Sequence, residues 1–233
     1  CNRFAAPSFN GLQPLAWMQF TGRNGMGSTA SVETKEQILD VAERMIAERG
    51  FAGTTLRNVV SQAGVNLAAV HYHFGSKEEL FRATVARLAR PVVEQELAAL
   101  RQLQQEQTSP SVEAILTAFL EPPLKLLLGA EEQSRMVRAQ FMGRCRTEPE
   151  PIQSIAAQEF DASLQAFLEA LQQALPDQSR PQLQWKFDLA IAILVRVQME
   201  AGQPNAVIQG SQPEDIQQAV SQLVTFMAAG MRS

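Results

Sequence analysis

Between Thr54 and Gly75 the sequence reads TTLRNVVSQAGVNLAAVHYHFG, and its punctuation leaves room only for short helices. Thr54 is a candidate cap for a helix reaching Gln62, Ala63-Gly64 makes a turn, and a second short helix runs from Asn66 to His73 before Gly75 ends it. Two helices this short cannot be stable by themselves, since isolated helices below ~12–15 residues are marginal in water. They must be packed on something, and two of them joined across a tight glycine turn form a helix-turn-helix pattern.

The flanking pattern is helical throughout, with no convincing run of alternating apolar and polar residues, so the expected class is all-α. Thr34 with Gln37 has capping-box spacing, Ile38, Ala42, Met45 and Ile46 share one face, and Gly50 stops that helix. Ser76 with Glu79 opens another helix, over residues 76–104, with a bend expected at Pro91. Further helices are expected over residues 111–129, kinked by Pro122-Pro123, then 132–146, 151–174, 181–202 and 213–231, about nine in all. Phe160, Leu164, Phe167, Leu168 and Leu171 form a stripe that buries one side of its helix. The 181–202 helix is apolar on nearly every face through its middle, which makes it central or covered by another subunit. Residues 1–30 read as a flexible N-terminal tail within which Met26 is a candidate start, residues 31–80 as a three-helix head, and residues 81–233 as a larger helical domain.

A chain of 233 residues with 45% hydrophobic content is long and apolar enough to bury a core. The most apolar run, Phe187 to Val197, is interrupted by Asp188 and Arg196 and falls short of the roughly 20 residues that span a bilayer, so no membrane partner is expected. Cys1 and Cys145 have neither ligand nor redox spacing, which predicts a reducing, cytoplasmic setting. No nucleophile-base set, glycine-rich phosphate loop or metal spacing is present, so neither an enzyme nor a bound cofactor is expected. His71 and His73 diverge by about 200° on a helix, which argues against a shared metal. The net charge of −4 is unevenly spread: residues 34–90 hold eight Lys/Arg against six Asp/Glu, leaving −6 for the remainder. A mildly basic end on an acidic body suits a chain that meets nucleic acid at one end.

An α-helix about 10–12 Å across fits the major groove of B-DNA, roughly 12 Å wide, provided its outward residues allow close approach. With Val65, Val70 and Phe74 pointing inward, Leu67, Ala68, His71 and Tyr72 face out, where apolar groups meet a thymine methyl and His71 meets a base edge or phosphate. Tyr72, His73 and Lys77 are positioned to grip phosphates on one side, and Thr55 and Arg57 on the other. Arg57 fits a solvated surface charge equally well.

Residues 34–81 resemble the N-terminal DNA-binding domain of TetR-family transcriptional regulators. The resemblance lies in Gly50-Phe51, Thr54-Thr55, Ala63-Gly64-Val65 and the run Tyr72-His73-Phe74-Gly75-Ser76-Lys77. It implies that Thr55, Arg57, Leu67, Ala68, Ala69, His71, Tyr72, His73 and Lys77 occupy the family's contact positions on double-stranded DNA. It further implies a homodimer whose last two helices, 181–202 and 213–231, form a four-helix interface, and a ligand cavity in each subunit. Two residues depart from the pattern: His71 stands where an aromatic or Asn is common, and Val60 where a small Ala usually lets the helices cross closely.

The body from Met136 to Pro151, with the Phe160–Leu171 stripe and Gln184-Trp185, is similar to the PsrA-like subgroup that senses fatty acids or their acyl esters. That similarity implies a small apolar effector. Phe119, Met136, Phe141, Phe160 and Trp185 are candidates for lining its cavity, with Arg138 or Arg144 to meet a carboxylate. The same residues at helical spacing also fit an ordinary packed core. The expected function is a ligand-responsive repressor released from a palindromic operator; the alternative is a dimeric small-molecule-binding helical protein that no longer binds DNA.

Overall fold

The computed structural model describes residues 24–127, 132–201, 203–208 and 212–233, and every regular element among them is a helix. Helix α1 spans Asn24–Gly53, so the expected tail over residues 1–30 lies outside the described residues only up to position 23 and is helical beyond it. The capping role expected of Thr34 is corrected by the same fact. Its hydroxyl donates to the Ala30 carbonyl at 2.8 Å, one turn back, because no proline or unfavourable turn residue interrupts the helix there.

Gly50 breaks α1 where the sequence indicates, with φ 74° and ψ 174°, a conformation that disfavours any residue with a Cβ. Helix α2 (Leu56–Ala63) is capped by Thr55, whose hydroxyl accepts from the Asn58 N–H, and not by Thr54. Thr54 is turned inward and donates to the Gly50 carbonyl at 2.9 Å. Gly64, at φ 65°, turns the chain into α3 (Leu67–Phe74), capped by the Asn66 side chain accepting from the Ala69 N–H at 2.8 Å. Helix α4 (Lys77–Glu106) begins at Ser76, which caps the Glu79 N–H, while Glu79 pairs with Arg82 and not with the Ser76 backbone. It continues through Pro91 as one helix.

The remaining helices are α5 (Val112–Lys125), α6 (Glu132–Cys145), α7 (Ile152–Ala174), α8 (Arg180–Met199) and α9 (Pro213–Arg232). Their side chains form two hydrophobic clusters. One joins Ile38, Met45, Val59, Val70 and Phe81 of the first four helices to Phe141, Cys145 and Phe160 of α6 and α7. The other joins Leu116, Phe119 and Leu120 of α5 to Phe167, Phe187, Leu194 and Met227. The head therefore closes its core only with help from the body. Arg87 of α4 ties α1 down with bonds to Asp40 at 2.8 Å, Glu36 at 3.2 Å and Glu43.

Candidate nucleic-acid interface

Helix α3 is held at both ends by backbone devices and from below by two side chains. Val70 and Phe74 are buried against α1 and α4, so the opposite face is obliged to point outward. Leu67 and Ala68 at its start and His71 and Tyr72 at its end are exposed, Tyr72 by 81%. Ala69 and His73 are half-buried at the edges of this face. The Tyr72 ring meets His73 edge-on at 5.1 Å, which stiffens the end of the helix.

The His71 ring is oriented by the end of its own helix. Its Nδ1 lies 2.9 Å from the Gly75 carbonyl, which can only accept, so Nδ1 carries the proton. The outward Nε2 is left free to meet a base edge or a phosphate. Thr55 and Arg57 are exposed at the start of α2. Lys77 behaves differently from a free phosphate hook. Its Nζ sits over the Phe51 ring, 3.9 Å from the centroid, and burial there pushes its pKa down against the pull of Glu78 and Glu148.

The residues read as lining an effector cavity are not brought together. Phe119 is packed between Phe167 and Phe187, at 5.2 and 5.0 Å, in the body cluster. Phe141 and Phe160 belong to the other cluster, where Phe141 meets Phe81 and Phe160 carries the Arg146 guanidinium 3.9 Å above its ring. Trp185 is 62% exposed on the outer side of α8. With Leu189, Ile193 and Phe226 it lines a groove of about 770 Å³ between α8 and α9. Arg138 lies on a cleft of about 450 Å³ with Leu126, facing Glu43 at 3.8 Å, and is already paired. Arg144 stands against Gly50, at the junction of head and body, and Met136 is half-buried. These assignments fail for one reason: helical periodicity marks which residues face inward, and not which inward face each helix shares.

Sequence reasoning also passed over Glu148. It is 9% exposed in the α6–α7 connection, and its Oε1 accepts from the Phe51 N–H at 3.0 Å, across 97 positions of sequence. No local spacing signals such a contact.

A recognition-type helix bounded by two glycines, presented outward on an all-helical body, defines a helix-turn-helix DNA-binding protein. Residues 38–84 match the family described as bacterial regulatory proteins, tetR family, and residues 117–230 match the tetracyclin repressor-like C-terminal domain. The two regions together take in more than half of the chain, and the protein belongs to the TetR family of transcriptional regulators.

Among its relatives is the HTH-type transcriptional regulator TtgR of Pseudomonas putida, 43% identical over 56 residues. That match covers 24% of this chain and 27% of TtgR, and the chain spans about a third or less of the length of the curated relatives it matches. FadR of Bacillus subtilis, solved in complex with stearoyl-CoA, shares the fold with a TM-score of 0.61 at 14% identity, over 84% of this chain and 98% of that one. NalD of Pseudomonas aeruginosa, the secondary repressor of the MexAB-OprM multidrug efflux pump, gives 0.57 at 22% identity, over 86% and 97%.

Proposed function

We propose that the protein is a homodimeric repressor that binds a palindromic operator and is released by a small apolar effector. The observation that carries this reading is the α3 surface: two small or apolar residues, a histidine oriented by the Gly75 carbonyl and an exposed tyrosine, on a helix narrow enough to enter the major groove. One such helix reads few base pairs, and useful specificity needs two half-sites about one helical turn apart. The exposed apolar groove between α8 and α9, with Trp185 and Phe226 on its rim, supports a second copy packing there.

An acyl-type effector is supported by the shared fold of FadR, which was solved with stearoyl-CoA. Because Phe119, Phe141 and Phe160 are packed, an entering chain has to displace side chains and so favours a different arrangement of the body. Operator affinity then falls because the effector binds one arrangement better than the other.

The alternative of a dimer that has lost DNA binding draws on Val60 and on the modest basicity of the head. The Val60 carbonyl accepts from the Val65 N–H at 3.1 Å, so the turn itself is closed, and DNA binding decides between the two readings. Retardation of a palindromic fragment from the gene's own upstream region tests the reading. No retardation of any such fragment by the dimer contradicts it. Native mass spectrometry of protein from its own host reads both subunit number and retained effector.

A further inference from the structure

The end of α6 touches both the recognition head and the outer helix α8 within a few residues. On the body side, a Cβ added at Gly143 would lie 2.8 Å from Met199 Cγ, 3.1 Å from the Met199 nitrogen and 3.1 Å from the Val195 carbonyl. The two backbones are therefore in contact, and the Gln140 side chain adds a bond to the Ala201 carbonyl at 2.8 Å. On the head side, a Cβ at Gly50 would meet Glu148 Oε1 at 2.8 Å and Arg144 Nη1 at 3.0 Å. The glycine that breaks α1 is thus also the space into which the body inserts a carboxylate.

The group that carboxylate holds is the corner of the head. Phe51 donates its N–H to Glu148, its carbonyl accepts from the Thr54 N–H at the entry to α2, and its ring packs edge-on against Phe81 of α4 at 5.4 Å. Lys77, the first residue of α4, covers the same ring. A bond to Phe51 therefore orients α1, α2 and α4 together, and with them α3.

We infer that Glu148 is a positioning residue that locks the recognition head onto α6, and that the Gly143 contact carries this lock to α8, so that the spacing of the two heads is set through this short stretch. The inference rests on the proposed function for its consequence, though the lock itself is a property of the free chain. A locked head meets its half-site without paying to be ordered, and it penalises half-sites at the wrong separation. An unlocked head loses both.

The test uses the full chain with Glu148→Ala, Glu148→Gln and Glu148→Asp. Hydrogen exchange of the Phe51 amide is measured in free protein, and binding is measured to the upstream palindrome and to versions with half-sites moved by two base pairs. In Glu148→Ala the Phe51 amide is expected to exchange at least about tenfold faster, the effect of losing a hydrogen bond to a charged acceptor. The preference for native over altered spacing should fall several-fold, with the salt dependence of binding unchanged. Glu148→Gln keeps an acceptor in place and should stay near wild type in both measurements. Glu148→Asp, one methylene too short, should behave like the alanine variant and replaces it should that variant fail to fold. Unchanged exchange at Phe51, or an unchanged spacing preference, overturns the inference. Should the wild-type protein bind no palindrome, the functional reading falls, and the exchange measurement alone decides for or against the lock.

Discussion

Among the described residues, two faces leave aromatic side chains in water, and they do so in different company. On α3, Tyr72 and the half-exposed Leu67 stand among alanines, a histidine whose outer nitrogen is free to hydrogen-bond, and the exposed Thr55 and Arg57 of α2. On α8 and α9, Trp185, Leu189 and Phe226 stand beside Ile193, Ala192 and Ala229, with Lys186 drawn inward to cap the Met231 carbonyl at 3.2 Å. The first face is narrow and mixes apolar contact with hydrogen bonding, as a groove of stacked bases requires. The second is broad and mostly apolar, with the exposed Arg196, paired to Glu200, among its lining residues, and aromatic residues with arginine are the composition enriched at protein interfaces. An exposed aromatic alone names no partner; the polar groups around it do.

The strongest way to break the comparison is to put charge on the second face. Trp185→Glu with Phe226→Glu buries two unpaired carboxylates if a second copy packs there, and should abolish the dimer. Loss of two central aromatic anchors at ~2 kcal/mol or more each predicts a fall in operator affinity of more than about 100-fold. Sedimentation would show a monomer, and a dimer of unchanged mass would separate the two faces wrongly.

Glu96 provides a control that touches neither face. It lies in α4, accepts from the Ser163 hydroxyl of α7 and faces Arg146 beyond the end of α6. Burial outweighs both partners and raises its pKa from 4.5 to about 7. For a group raised on folding, the stabilisation is complete below the unfolded pKa and is lost as pH rises through the folded one. Glu96→Gln should therefore match wild type in stability near pH 4 and exceed it at pH 8 by on the order of 2–3 kcal/mol. Thermal unfolding at the two pH values reads this. Operator binding and dimer mass should not move; a change in either would mean that this buried pair belongs to one of the faces.

The head was legible because its signals are local. Gly64, Asn66, Gly75 and Ser76 each act on the backbone within three or four positions, so spacing alone locates α3 and its outward residues. Of the capping expectations that failed there, those for Thr34 and Glu79 read a box spacing whose side chains found partners within the helix, while Thr54 for Thr55 arose because adjacent threonines are equally able to cap. The Gly50 carbonyl, by taking the Thr54 hydroxyl, decided between them. The body hid more. Phe119 and Phe141 sit on equally apolar stretches yet enter different clusters, and Trp185 sits on a helix apolar all round, where the exposed side is chosen by what packs on the other. Arg144 and Glu148 serve the head from nearly a hundred residues away, and only tertiary packing brings them there.

Smaller effects sharpen the first face. Tyr72→Ala removes the most exposed ring on α3 and should weaken operator binding by about tenfold, in the range of one good contact at a nucleic-acid interface. The dimer, measured by native mass spectrometry, should be untouched. Loss of the dimer in this variant would join two faces that the structure holds apart.

Lys77 is the finest probe, because its surroundings pull it two ways. Its ammonium lies over Phe51, where burial lowers its pKa while Glu78 and Glu148 favour the charged form. A cation resting on an aromatic ring at the first turn of α4 is held near the flank of α3 at little entropic cost, and it can still contact a phosphate there. Lys77→Ala should then weaken binding to all sequences alike, by about fivefold at moderate salt, and lower the slope of log K against log salt by about 0.9. Phe51 loses its cover in the same variant, so Lys77→Met, which keeps apolar cover without charge, separates the two roles. An equal loss of slope in both variants assigns the effect to phosphate. A slope unchanged in both confines Lys77 to holding the corner of the head, and leaves Thr55, Arg57 and the outward residues of α3 to meet DNA without it.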